Sequence, residues 1–333
     1  LWYKHRKKIM LKKSFTVLVG AGYWGSKILE KLVFLDLNII VLESNSKTLS
    51  IYKKKYNDKK CIFIKNFNDL KKLDYENVII ASPAQLHFQQ INYFLKLSKN
   101  IFVEKPLCIN FEQIKLLKKK LHNYKKTFMV GHIMHHHNSF KKIVELKKKN
   151  FFGKILYLYS SRLSFGKLRK FENILSSFAP HDLSMMIALM KKAPIVKNCS
   201  GSKMLNNKVY DNSIINLKFS KKVNAHIFVN WLSPFKEQKF VVIGEKNMLV
   251  FDDTAAWDKK IMIINKPLIV QNNSYVLNNK KISFLKTKKN DALLDEIKYF
   301  CKCAKNKSKP ISGIDESFHI YGLLDKSIKI LKK

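Results

Sequence analysis

The segment FTVLVGAGYWGSKILEKL, Phe15 to Leu32, constrains this chain more than any other. An apolar run ends in Gly20, Gly22 and Gly25, and a helical pattern begins at once. A glycine triplet by itself is a turn. Placed between a strand and a helix with the spacing G-x-G-x-x-G, it is a loop on which a dinucleotide pyrophosphate can rest. Gly20 permits the tight turn, Gly22 lets the backbone approach the pyrophosphate, and Gly25 allows close packing while the helix N-terminus presents free N–H donors. Tyr23 and Trp24 stand between the second and third glycines, where they either line the floor under a cofactor or fill the core beside it.

Beyond this loop, short β-rich runs alternate with helical patterns: LNIIVLES, CIFI, NVIIASP, NIFVEKP and FMVGH. Runs apolar on both faces and separated by helices imply a parallel sheet wound by right-handed crossovers. After about residue 130 strands follow one another with few helices between them, in KILYLYSSRLSF, SIINLKF, VNAHIFVNWL, KFVVIG and NMLVF. Amphipathic patterns flank these at 182–191 and 291–305, and SFHIYGLLDKSIKIL comes last. The expected fold class is α/β. Residues 11–130 form a Rossmann doubly wound parallel sheet, and residues 131–333 an α+β domain with a mainly antiparallel sheet, whose C-terminal helices can pack back on the first domain. The chain opens LWYKHRKKIM with its first methionine at Met10. Residues 1–10 are set aside as a doubtful extra segment.

The 64 Lys and Arg against 24 acidic residues leave a net charge of +40. The lysines are spread along the whole chain and no nucleic-acid motif accompanies them. They imply a general attraction to phosphate ligands and no specific nucleic-acid partner. No run approaches the roughly 18 apolar residues of a membrane span. Five cysteines at scattered spacings, with no secretory segment ahead of them, read as reduced thiols of a cytoplasmic protein.

Glu43, in IIVLESN, ends the second strand about 20 positions after the glycines, where a carboxylate accepts the ribose hydroxyls of a dinucleotide. A carboxylate there repels a 2′-phosphate, so NAD is favoured over NADP, a preference that Ser44, Asn45, Ser46 and Lys47 soften. VEKP, Val103 to Pro106, closes the fifth strand, and the carboxyl ends of parallel strands are where open sheets bind ligands. Lys105 is therefore expected to face the cofactor crevice.

Together, GAGYWG, ASPAQLH (81–87) and EKP on successive strand ends resemble the Gfo/Idh/MocA family of sugar oxidoreductases over nearly the whole chain. The resemblance implies that Ser82, Pro83, His87 and Glu104 join Gly20, Gly22, Tyr23, Trp24, Gly25, Glu43 and Lys105 around the cofactor. VGH at 130–132 and the runs at 160–186 and 230–257 look like the branch acting on UDP-N-acetylhexosamines. That branch implies oxidation of a C3 hydroxyl to a 3-keto sugar, which a PLP aminotransferase can aminate in amino-sugar synthesis for lipid A or surface polysaccharide.

Oxidising a secondary alcohol by hydride loss needs a base for the hydroxyl proton and a donor for the developing alkoxide. The resemblance gives those roles to His181, in FAPHD, and to Lys105. Read alone, His181 is more often a cap or a core histidine than a base, and the family context reverses that reading. Following Pro180 it is expected to open a helix whose positive end keeps the ring neutral, with Asp182 in the first turn partly opposing. The family's aspartate four residues before this histidine, often in Trp-Asp, is replaced here by Ser176 and Ser177, with Asp182 or Glu172 as substitutes. His132, Arg162, Asn173 and Asp182 are the candidate substrate ligands, Arg162 as a fork for a diphosphate. In HIMHHH, His132 and His136 would share a helix face with no carboxylate or cysteine to complete a set, so no metal is expected. Two other readings stand beside the nucleotide-sugar dehydrogenase: a dehydrogenase for a free sugar or cyclitol, and an NAD-bound regulator without turnover. The uncovered sheet face implies a homo-oligomer.

Overall fold

The computed structural model describes residues 14–57, 59–165, 173–205, 209–265, 268–271, 274–277 and 281–332. The segment 1–10 and Glu172 lie outside the described residues. In chain order the first part runs β1 (Phe15–Val19), α1 (Tyr23–Phe34), β2 (Ile39–Leu42), α2 (Ser46–Lys55), β3 (Cys61–Ile64), β4 (Tyr75–Ile80), α3 (Ala84–Lys96), β5 (Asn100–Val103), α4 (Phe111–Leu121) and β6 (Phe128–Val130). It continues through α5 (Asn138–Lys148), β7 (Ile155–Leu163), α6 (Ile174–Met190), β8 (Ile195–Ser202), β9 (Asn212–Lys218), β10 (Asn224–Asn230), β11 (Glu237–Gly244) and β12 (Asn247–Asp252). The last elements are β13 (Ile261–Asn265), β14 (Leu268–Gln271), β15 (Ser274–Leu277), β16 (Lys281–Phe284), α7 (Ala292–Asn306) and α8 (Ile314–Leu331). Two compact units result. The first takes the chain up to His132 with Leu293–Ser317, and the second Ile133–Ala292 with the chain from Phe318 onward.

Unit one is built on six parallel strands in the order β3-β2-β1-β4-β5-β6. Every residue of β1, β2 and β5 is buried, as strands covered on both faces must be. The chain winds outward from β1 to β3 and then crosses back to lay β4 on the other side of β1. Between the carboxyl ends of β1 and β4 the connections therefore diverge, which is where an open sheet forms its ligand crevice.

Unit two carries an eight-stranded sheet in the order β16-β13-β12-β11-β7-β10-β9-β8. Its pairs are antiparallel except for β7 with β10. Alternation is clear on β10, where Ala225, Ile227 and Val229 are buried and their neighbours are not. α6 packs against β7, β9 and β10.

The structure corrects two local expectations. α5, β8, β13 and the short strands β14, β15 and β16 are additional to those expected; β8 and β16 mix lysine, asparagine and serine with few apolar residues, whereas α5 and β13 do carry readable apolar patterns. And α6 begins at Ile174, six residues before the proline, so the pattern at 182–191 is only its second half. Asn173 caps it, its side chain accepting the Leu175 N–H at 3.0 Å. Pro180 inside the helix forfeits a backbone bond at a cost of about 3 kcal/mol. Burial of Ile174, Leu175, Leu183, Met186 and Leu189, at about 1.5–3 kcal/mol each, exceeds that cost several-fold.

Candidate active site

β1 ends in Gly20, whose φ of +88° lies in the left-handed region that glycine adopts without strain. Its N–H donates to the Leu42 carbonyl at 2.9 Å, and a Cβ there would stand 2.8 Å from the Ser82 backbone. The turn leaving β1 is thus pressed against the turn leaving β4. Gly25 closes the loop from the other side, since a Cβ on it would lie 2.1 Å from the Gly20 carbonyl oxygen. At Gly22, the N-cap of α1, a Cβ would meet nothing within 4 Å. No side chain caps this helix and no acidic residue stands in its first turn, which suits the approach of a pyrophosphate to its N–H groups.

Glu43 is buried beside this loop, with Oε2 accepting the Ala21 N–H at 2.7 Å and Oε1 the Asn45 N–H at 2.8 Å. Two backbone donors fix the carboxylate at the rim of the loop, and its remaining lone pairs suit a ribose diol. Ser44, Asn45, Ser46 and Lys47 are exposed, and Asn45 caps α2 by accepting the Thr48 N–H. Tyr23 is 76% exposed, so core filling is excluded for it. The Lys27 ammonium stands 4.8 Å from the Tyr23 ring centre and 5.4 Å from that of Trp24. Trp24 turns inward, its indole Nε1 buried on the side of Glu104.

Pro83 is the N-cap residue of α3. Ser82 Oγ donates to Gln90 Oε1 at 2.6 Å. His87, 1% exposed, spans two loops, with Nε2 2.9 Å from the Ser82 carbonyl and Nδ1 2.9 Å from the Pro106 carbonyl. Burial lowers its pKa, against the pull of these carbonyls. His87 is therefore a strut holding the EKP turn to the β4 turn.

Glu104 is buried at the end of β5, and its Oε2 accepts the N–H of Lys105 at 3.2 Å. Burial pushes its pKa up to about 7, while Trp24 and then the Lys105 charge pull it down. The Trp24 contact falls short of a formed hydrogen bond, since Trp24 Nε1 and Glu104 Oε1 both lack a partner within bonding geometry. Lys105 is half-buried at the same strand end. His132 is 1% exposed, and its backbone N–H reaches the carboxyl of Glu296.

Glu296 is the residue that sequence reading missed. It lies on α7 among Leu293, Ile297 and Phe300, all buried. The available signal was a carboxylate inside the i, i+3, i+4, i+7 apolar stripe of ALLDEIKYF, a costly place for a charge without a purpose.

In unit two, His181 sits half-buried in the middle of α6. The expectation that it opens a helix is corrected. The dipole effect fades beyond the first turn, so it does not hold His181 neutral. Asp182, also mid-helix, is fully buried and pairs with Arg162 of β7, Nε to Oδ2 at 2.8 Å and Nη2 to Oδ1 at 3.3 Å. The guanidinium fork offered to a diphosphate is thus taken by Asp182. Asn173 spends its side chain on the α6 cap. Ser177 is buried and Ser176 half-buried.

The histidine run forms a short 3-10 turn at Ile133–His136, so His132 and His136 do not share an α-helical face. His135 Nε2 meets Ser184 Oγ at 3.0 Å, and the His136 carbonyl accepts from Asn290. His137 caps α5 and stacks on Trp257 with ring centres 4.9 Å apart. A cavity of about 310 Å³ lined by Asn77, Asn100, Thr127 and Lys305 lies at the opposite, amino-terminal edge of the unit-one sheet, away from the glycine loop.

Residues 15–132 match the family described as "Oxidoreductase family, NAD-binding Rossmann fold", and residues 140–250 match the "GFO/IDH/MocA C-terminal domain". The chain belongs to the Gfo/Idh/MocA oxidoreductase family. It is an NAD-binding oxidoreductase, and the glycine loop with Glu43 fits that cofactor. An uncharacterized oxidoreductase of Streptococcus pneumoniae is 25% identical over 191 residues, 53% of this chain and 52% of the relative. A 2,7-anhydro-N-acetylneuraminate hydratase of Mediterraneibacter gnavus is 22% identical over 255 residues, 71% of this chain and 66% of the relative. The matched regions thus span less than two thirds of either relative. Among solved structures, the UDP-N-acetylglucosamine 3-dehydrogenase GnnA of Acidithiobacillus ferrooxidans superposes with a TM-score of 0.82 at 15% identity, covering 96% of this chain and 97% of that one. At that identity the likeness is one of fold.

Proposed function

We propose that this oxidoreductase oxidises the C3 hydroxyl of a UDP-linked N-acetylhexosamine to the 3-keto sugar. The observation that carries the reading is the seating of Lys105, a half-buried lysine at the end of β5 whose charge acts on the buried carboxyl of Glu104. NAD, when bound, supplies the hydride acceptor. Lys105 orients the hydroxyl oxygen and steadies negative charge as it develops there, and His181 takes the hydroxyl proton on its ring nitrogen. Unit one is the cofactor part of the chain and unit two the substrate part. With the Arg162 fork engaged by Asp182, the diphosphate is met by lysine, in keeping with the chain's excess of that residue. A downstream PLP aminotransferase would consume the 3-keto product. Copies associate through the unit-two sheet, whose less buried face shows Tyr157 and Tyr159, the latter stacked on His226 with ring centres 5.2 Å apart.

A second reading is favoured by the hydratase of Mediterraneibacter gnavus, a relative by sequence. On that reading the substrate is an anhydro N-acetylated sugar acid and NAD is not consumed. Absorbance of NADH, followed with UDP-N-acetylglucosamine, its uronate, UDP-glucose, myo-inositol and glucose and with an acceptor to draw the product off, tests the first reading. Turnover confined to N-acetylated UDP sugars and lost in His181→Ala supports it. Silence across this panel, with conversion of 2,7-anhydro-N-acetylneuraminate seen by mass spectrometry, replaces it with the second.

A further inference from the structure

The interior of unit one holds two carboxyls in one place. Glu104 is 8% exposed and Glu296 is 1% exposed. Phe102 shares a strand face with Glu104, and Phe300 shares a helix face with Glu296, one turn on. The two phenyl rings meet with centres 5.7 Å apart, so the same register sets Glu104 against Glu296. Gly131 closes the space, since a Cβ there would stand 3.1 Å from Glu104 Oε2 and 3.2 Å from Phe102 Cζ. Oε1 of each glutamate is buried without a hydrogen-bond partner.

The groups facing the pair come from four elements. Trp24 of α1 and Lys105 after β5 face Glu104, the backbone N–H of His132 after β6 reaches Glu296, and α7 contributes Glu296 itself. Among the described residues, Lys105 is the cation whose charge acts on Glu104. Two ionised carboxylates so placed repel one another with little solvent to screen them, and the pair lowers that cost by keeping a proton. Burial raises Glu104 to about 7, and burial followed by the charge of Glu104 raises Glu296 well above its usual range.

We propose that the Glu104–Glu296 pair senses the redox form of the dinucleotide, releasing a proton to solvent when NAD⁺ binds and keeping it when NADH binds. This rests on the reading that Lys105 faces the nicotinamide. The two cofactor forms differ by one positive charge on that ring, and Glu104 lies between the residues that flank it, Trp24 at the glycine loop and Lys105 at the strand end. A cationic ring favours the ionised pair and a neutral ring does not. Binding of NAD⁺ therefore tightens as pH rises, by up to about tenfold per pH unit for one proton released. Binding of NADH is flat over the same range.

Calorimetric titration of the full-length protein with NAD⁺ and with NADH, in Pipes and in Tris near neutrality, counts the protons exchanged. The expected result is a greater release with NAD⁺ that is lost in Glu296→Gln. Equal proton counts for the two forms in the native protein overturn the proposal, as does a full difference surviving in Glu296→Gln. Should Glu296→Gln not fold, the infrared difference spectrum of the native protein serves instead: NAD⁺ must bleach a protonated-carboxyl band that NADH leaves intact. No sugar enters these measurements, so the dehydrogenase reading fails or stands separately on the turnover panel.

Discussion

Replacing Gly25 by alanine sets two known effects against each other. Gly25 lies inside α1, where alanine is favoured over glycine by about 1 kcal/mol of helix propensity. Yet the added methyl would come within 2.1 Å of the Gly20 carbonyl oxygen and 2.9 Å of its carbon, both backbone atoms. Ordinary contact needs about 3.4 Å, so α1 and the β1 turn must separate by more than 1 Å, and overpacking of this kind costs about 1–3 kcal/mol or more. Gly20 cannot yield toward β4, because it already lies against the Ser82 backbone. The clash wins. Gly25→Ala should lower the thermal midpoint by several degrees, at about 2–4 °C per kcal/mol for a domain of 150–250 residues, and weaken NAD binding at least tenfold. Gly22→Ala is the matched control. Its methyl meets nothing, so the midpoint without cofactor should stay within about 2 °C while NAD binding still falls, because the methyl occupies the space through which the pyrophosphate reaches the backbone. Scanning calorimetry with and without NAD separates the two. A Gly25→Ala protein as stable as the parent and binding NAD normally would refute the argument from close approach.

Breaking the buried Arg162–Asp182 pair by Asp182→Ala should cost about 3–5 kcal/mol in urea unfolding, because an uncompensated guanidinium remains in the core. His181→Ala should cut turnover by about 10²–10⁴-fold with NAD affinity nearly unchanged, which steady-state kinetics and a binding titration check together. Because Glu104 has a raised pKa in the folded protein, its contribution to stability is complete below the ordinary carboxyl range and is lost as pH rises through about 7. Urea midpoints of the cofactor-free protein should therefore fall between pH 5 and 8, to a lesser extent in Glu104→Gln. His87→Ala leaves the Ser82 and Pro106 carbonyls without their shared partner, and should weaken NAD binding through a loosened EKP turn, which titration against the conservative His87→Gln would show.

The parallel sheet, the glycine loop and Glu43 were legible because each is local: apolar runs covered on both faces, a fixed spacing of glycines, and an acid at a strand end. The EKP turn was likewise legible from its place after the fifth apolar run. What local pattern could not convey was partnership. Arg162 and Asp182 are twenty positions apart in sequence and look like two solvent-facing ligands until α6 lies on β7 and one neutralises the other. Pro180 reads as a helix start because proline suits a first turn, yet buried neighbours on either side carry the helix through it. Glu104 and Glu296, 192 positions apart, become one titrating unit only when α7 returns to the sheet beside β5. Sequence alone determined the strands and the glycine turn between β1 and α1, since their physics lies within a few residues. Tertiary structure decided which charges stand alone and which are paired, because burial and Coulomb energy depend on distance in space.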